Sequence, residues 1–151
     1  MTAYIYKEIQ AAQRDEALVA RLLRLWEDSV RATHHFLNGN DIESLKPFVI
    51  EGIKSTPIIY ISRAREEPVA FMGIAGDKIE MLFVSPRHFG RGIGRRMVAL
   101  AISNHRATSV DANEQNRQAV DFYRHIGFCV YERSATDDQG NPFPILRMRL
   151  K

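Results

Sequence analysis

Apolar positions return at helical spacing in two early stretches. Over residues 14–31, Leu18, Leu22, Leu25, Trp26 and Ser29 fall on one side of a helix, and Leu23 and Val30 widen that stripe. Over residues 41–54, Ile42, Leu45, Val49 and Ile53 share a side, and Pro47 is expected to kink or split the helix because it has no amide proton. Residues 3–8 alternate weakly and predict an edge strand. Strands follow at 57–63, 69–75 and 78–84, separated by a polar turn around Glu66 and Glu67 and a tight Gly76-Asp77 hairpin. Ser85 and Pro86 end the third strand. Residues 90–94 open a helix that runs to about residue 105. A strand at 107–112 and a helix at 116–125 come next, with Gly127 at the C-cap. Strands at 128–133 and 144–150, joined through Asp137-Asp138-Gln139-Gly140, complete the pattern.

The order β-α-α-β-β-β-α-β-α-β-β is neither a regular βαβ alternation nor an all-β pattern. It predicts a mixed α/β (α+β) domain whose sheet carries helices on both faces. The chain of 151 residues fits one domain spanning 1–151, long enough to bury a core without disulfides or metals.

Charge narrows the function little: 21 basic side chains face 18 acidic ones, a net charge of +3. No basic segment is interleaved with aromatics, so nucleic acid is not the expected partner. No apolar stretch approaches the ~20 residues that cross a bilayer, and residues 1–7 lack the pattern of a secretion leader, so no membrane partner and a cytoplasmic location are expected. Cys129, the single cysteine, reads as a small buried hydrophobe. No metal is expected: His34 and His35 are adjacent, His88, His105 and His125 lack ligand spacing, and Asp137-Asp138 lacks the calcium-loop pattern.

The chemistry begins where the third strand of the middle group ends. Gly90, Gly92 and Gly94 alternate ahead of a helix, with Arg87, Arg91, Arg95 and Arg96 beside them. Glycine lets the backbone approach a ligand, and the free amides at a helix start form an anion site. The loop lacks the Gly-Lys-Ser/Thr ending of the Walker pattern, and its third glycine comes one residue early for the dinucleotide fingerprint. A pyrophosphate is the expected guest.

Leu82-Phe83-Val84-Ser85-Pro86 followed by Gly90-Arg91-Gly92-Ile93-Gly94-Arg95 resembles the acetyl-coenzyme A signature of the GNAT superfamily of N-acetyltransferases. Asn113-Glu114, Asn116, Ala119, Phe122-Tyr123 and Gly127-Phe128 resemble that superfamily's next motif, in order and spacing. The resemblance implies a largely antiparallel sheet splayed in the middle, with a bulge in the strand before the loop. It implies acetyl-coenzyme A as co-substrate, backbone contacts from Leu82, Phe83 and Val84, and a pyrophosphate held by Arg87, Gly90, Arg91, Gly92, Ile93, Gly94 and Arg95. Asn116 would bond the cofactor from the next helix. Transfer to an amine would be direct, with Tyr123 protonating the departing thiolate and no acetyl group on Cys129. A phenol suits that task, since its ordinary pKa of about 10 lies near that of a thiol.

Glu80 and His34 are the rival candidates for accepting the amine's proton. His34 also belongs to the expected acceptor pocket, and Asp111 is a candidate substrate contact. One position departs from the family pattern: Phe89 stands where Arg or Gln is usual, which predicts weaker cofactor binding rather than none. That departure motivates an alternative, a non-catalytic coenzyme A-binding sensor or interaction module on the same fold. The acceptor is left open between small amines and protein amines. Edge strands near the C-terminus are candidates for pairing in a homodimer.

Overall fold

A computed structural model describes residues 3–151; Met1 and Thr2, the start of the stretch examined for a leader, lie outside them. Strand β1 (Ile5–Ile9) is followed by a single 3-10 turn at Ala11–Gln13 and helix α1 (Glu16–Thr33). Helix α1 starts two residues later than its apolar stripe implies, because the Asp15 side chain accepts the Leu18 amide at 2.9 Å and caps it. Helix α2 (Gly39–Ser55) starts two residues earlier than expected. Asn38 and Asp41 there form a reciprocal capping box, each side chain accepting the other's backbone amide. The expected break at Pro47 does not occur. Pro47 and Glu43 are both exposed, so the Glu43 carbonyl that loses its helical partner faces water and the helix runs through.

Strands β2 (Ile58–Ala64), β3 (Glu67–Ala75) and β4 (Lys78–Val84) follow as antiparallel neighbours. Helix α3 (Ile93–His105), strand β5 (Ser109–Asn113), helix α4 (Arg117–Ile126) and strands β6 (Phe128–Ser134) and β7 (Ile145–Leu150) complete one seven-stranded sheet, ordered β1-β2-β3-β4-β5-β7-β6. Every neighbouring pair is antiparallel except β4–β5.

The two-residue period of a strand divides the core. Ile59, Ile61 and Phe71 point towards α1 and α2, where they meet Leu22, Trp26 and Ile53. Tyr60, Met72 and Ile74 point the other way, to Ile93, Met97 and Val98 of α3 and Val120 of α4. Each helix layer thus buries its stripe on one face of the sheet.

The middle of the sheet positions the site. Strands β4 and β5 pair only at Lys78–Ser109 and Ile79–Val110, and then separate. At the same place β4 slips by one residue against β3: Gly73 lies opposite Met81 while Ile74 lies opposite Ile79. Glu80 is the extra residue, so the bulge falls on Glu80 itself. Met81 packs over Gly73, where a Cβ would come within 2.7 Å of Met81 Cε. The bulge turns β4 away from β5 and leaves the edge of residues 80–84 that faces β5 without a strand partner.

Candidate active site

The glycine loop supplies donors. Gly90 (φ 74°) and Gly92 (φ 78°) take the left-handed conformation, which strains any residue with a Cβ. Gly92 is the N-cap of α3 and has no side chain to cap with. The first helical bond is Arg96 N–H to the Gly92 carbonyl, so the amides just ahead of it have no helical partner and are free among the described residues. Gly94 answers a different need, since a Cβ there would meet Phe122 Cζ at 3.3 Å. Free amides at the positive end of a helix dipole match a pyrophosphate.

These amides open on a cavity of about 420 Å³ between the separated strands. Leu82, Phe83 and Val84 form one side of it. Gly90, Gly92, Ile93, Gly94 and Arg95 line one end, and Asn116 and Tyr123 lie across from β4. A narrow throat of about 110 Å³ continues from it through the splay, sharing His34, Leu82, Phe83, Asn116 and Tyr123 as walls. Beyond the throat, past Glu80 and Asp111, lies a basin of about 220 Å³. The glycine loop and the acidic basin thus lie at opposite ends of a row of adjoining cavities at the splay. The residues present fit an acyl-coenzyme A: free amides for phosphates, an unpaired strand edge for a peptide-like arm, and an opening for an acceptor.

Two residues of the throat define its chemistry. Tyr123 is buried, with its ring 5.1 Å from that of Phe122 and 5.7 Å from that of Phe128. Its hydroxyl has no hydrogen-bond partner among the described residues, and burial pushes the phenol's pKa well up. His34, the C-cap of α1, belongs to a chain whose direction can be deduced. The Thr33 hydroxyl donates to the Ser29 carbonyl at 2.8 Å, so it accepts from His34 Nδ1, also at 2.8 Å. The Ala119 amide donates to Asn116 Oδ1 at 3.2 Å, which turns Asn116 Nδ2 towards His34 Nε2 at 3.5 Å. His34 is therefore the neutral Nδ1–H tautomer. Burial, reinforced by neighbouring His35, lowers its pKa to about 4.

The remaining expected residues are distributed unevenly. Glu80 borders both throat and basin, with Lys78 Nζ 3.9 Å from its carboxylate. Asp111 also borders both but is already engaged, accepting from Lys78 at 2.7 Å and from Arg147. Arg87 does not line the cofactor cavity; it lies in a groove against Arg24, Asp28 and Arg65. The 3-10 turn at Pro86–His88 carries it away from the glycine loop. Arg91 is likewise absent from the cavity wall, while Phe89 lines it. Cys129 on β6 lies in no wall of cavity, throat or basin. Sequence reading missed Thr33, Gln118 and Phe122 in the cavity and Phe36 and Phe143 in the basin. The aromatic pair gave no periodic signal, because both residues lie in connections between elements.

Residues 55–130 match the family model described as an acetyltransferase (GNAT) domain. The chain is 37% identical over 128 residues to the peptidyl-lysine N-acetyltransferase YjaB of Salmonella typhimurium, covering 85% of this chain and 88% of that protein. It is 38% identical over 127 residues to its Escherichia coli counterpart, covering 84% and 86%. The solution structure of apo YjaB from Escherichia coli superposes with a TM-score of 0.84 at 32% identity, over 97% of each chain. The PaiA N-acetyltransferase of Thermoplasma acidophilum, solved with coenzyme A, shares the fold at a TM-score of 0.71 and 16% identity, over 97% of this chain and 99% of that one. The splayed sheet, the glycine loop and these likenesses agree: the chain belongs to the GNAT acetyltransferase family and is an acetyl-coenzyme A-dependent N-acetyltransferase.

Proposed function

We propose that the acceptor is the ε-amine of a lysine in a polypeptide, with Tyr123 as the acid for the leaving thiolate and Glu80 as the acceptor of the amine's proton. The observation that carries this reading is the free hydroxyl of Tyr123, held in the throat between the phosphate-binding cavity and the acidic basin. Both relatives named above are peptidyl-lysine N-acetyltransferases, and a basin bordered by Glu80, Asp137 and Asp138 suits a cationic side chain.

Each residue's role follows from its place. Free amides of Gly92, Ile93, Gly94 and Arg95 hold the pyrophosphate, and the open edge of Leu82, Phe83 and Val84 orients the arm so that the thioester lies at the throat. A backbone amide of that edge faces the carbonyl oxygen as charge develops on it, an effect worth a few kcal/mol in such sites. Glu80 takes the ammonium's proton, directly or through water, freeing the nitrogen lone pair to attack the thioester carbon. As the carbon–sulfur bond breaks, its electron pair stays on sulfur and Tyr123 supplies a proton. Burial raises the phenol's pKa, so the hydroxyl carries its proton before transfer. Both nitrogens of His34 face partners, Nδ1 the Thr33 hydroxyl and Nε2 the Asn116 amide, so its part is to orient Asn116. A cytoplasmic location goes with this reading, because acetyl-coenzyme A is an intracellular metabolite. Edge strand β6, with Val130 and Tyr131 exposed, is the surface through which two copies would pair.

The first test is calorimetric titration with acetyl-coenzyme A, followed by assay on a lysine-containing peptide. Wild type is expected to bind saturably and acetylate the peptide. Gly92→Glu, which strains a left-handed position and adds a carboxylate at the anion site, is expected to lose binding. Tyr123→Phe is expected to keep binding and to lose about 100-fold in kcat. Binding without turnover of any amine would instead favour the sensor reading, which Phe89 motivates.

A further inference from the structure

The basin beyond the throat has two walls of different character. One is apolar and comes from two separate connections: Phe36 and Leu37 between α1 and α2, and Phe143 between β6 and β7. The rings of Phe36 and Phe143 meet at 5.6 Å between centroids, tilted by 56°. Phe36 also lies 5.3 Å from the His34 ring, so the aromatic contact runs from the basin to the throat. Both phenylalanines are half-buried, which leaves ring surface facing the basin. The loop presenting Phe143 is braced: Asp137 Oδ1 accepts the amides of Gln139 and Asn141, and Asp137 Oδ2 accepts from the Asn141 side chain. The opposite wall carries charge and is acidic on balance: Glu80 at the bulge with Lys78 Nζ 3.9 Å away, Asp111 already bound by Lys78 at 2.7 Å, and Asp138, largely exposed and only distantly paired with Arg147 at 3.4 Å.

An apolar wall facing a carboxylate at the mouth of a narrow throat matches one side-chain chemistry, a flexible methylene stem ending in a cation. We infer that Phe36 and Phe143 form an aromatic clasp that selects the acceptor by the length of its alkyl stem, holding the methylenes while the ammonium passes to Glu80. The inference rests on the lysine reading above and adds to it the residues that measure the stem. A stem held along aromatic rings gains contact with each methylene, worth about fourfold in affinity for each one buried. The cation gains further from the ring faces.

The test uses three peptides of one sequence whose acceptor residue is lysine, ornithine or 2,4-diaminobutyrate, with wild type, Phe143→Ala and Phe36→Leu. Wild type is expected to prefer lysine over ornithine by about fourfold or more in kcat/KM. Each variant is expected to raise KM for the lysine peptide about tenfold and to flatten the preference, with acetyl-coenzyme A affinity unchanged by calorimetry. Should Phe143→Ala fail to melt cooperatively, Phe143→Leu keeps the bulk and removes the ring, and the same flattening is expected. Unchanged KM and unchanged preference in the folded variants would overturn the clasp while leaving lysine acetylation standing. Acetyl-coenzyme A binding by wild type with no transfer to the lysine peptide would overturn the acceptor reading and the clasp together.

Discussion

His34 shows how a single side chain acquires its character from neighbours distant in sequence. Thr33 and the Ser29 carbonyl fix its tautomer from within α1, and Asn116 meets its other nitrogen from the N-cap of α4. With a folded pKa near 4 against about 6.5 unfolded, protonation favours the unfolded chain. The contribution to stability is complete above pH 6.5 and is lost as pH falls towards 4, amounting to at most about 3 kcal/mol. His88 is shifted in the same direction, so the informative quantity is the difference between wild type and His34→Gln. Denaturant melts of both at pH 7 and pH 4.5 are expected to show a smaller acid loss in the variant; equal losses would mean that His34 is not held neutral. That His34, Glu80, Asn116 and Tyr123 line one throat was expected from the sequence, Asn116 and Tyr123 from their motif, Glu80 from its strand and His34 from the end of its helix. The tautomer, the low pKa and the engagement of Asp111 by Lys78 and Arg147 were not, because each depends on a contact between residues remote in the chain.

At the scale of elements, hydrophobic period and glycine punctuation carried the strand and helix order, and the errors lie at ends governed by caps. Asp15, Asn38 and Asp41 moved the starts of α1 and α2, and an exposed Pro47 left α2 whole. The end of α2 was legible to within one residue, Lys54 against Ser55, but the group that closes it was not, since that is Arg14, far back in the chain. The Arg14 guanidinium donates to the carbonyls of Ile53 at 3.3 Å, Lys54 at 3.2 Å, Thr56 at 2.6 Å and Pro57 at 3.2 Å. A cation there satisfies carbonyls that the helix leaves open and lies at the negative end of its dipole. Hydrogen bonds to charged groups are worth about 1.5–3 kcal/mol. Arg14→Ala is therefore expected to lower Tm by about 3–12 °C in a thermal melt, at roughly 2–4 °C per kcal/mol for a domain this size. Because α2 supplies Leu45 to the basin, the same variant is expected to raise KM for the acceptor while sparing acetyl-coenzyme A affinity. An unchanged Tm would show the guanidinium to be solvated rather than bound.

The whole molecule is a sheet nearly cut in two. Strands β1 to β4 and strands β5 to β7 are joined at one end, by the two strand pairs at Lys78–Ile79, the Thr108 and Ser109 amides on the Asp77 carbonyl and the Lys78–Asp111 pair, below a gap lined by unpaired strand edge and helix amides without helical partners. Those groups are hydrated when the gap is empty, and a ligand that bonds them also ties the two halves together. Such a ligand binds the folded chain and has no site on the unfolded one, since loop, strand edge and throat exist only when β4 and β5 are brought together. Stability must then rise with ligand concentration, by about 2.7 kcal/mol at one hundred times Kd. For a domain of this size that corresponds to a Tm increase of roughly 5–11 °C. Acetyl-coenzyme A is expected to produce this shift in wild type and in Tyr123→Phe, whose change touches the proposed acid rather than the glycine loop, and none in Gly92→Glu. Hydrogen exchange separates tying from simple occupancy. If the ligand bridges the halves, amides of β5 gain protection along with those of the glycine loop; if it rests on the loop alone, protection stops at α3 and the splay is not where the arm lies.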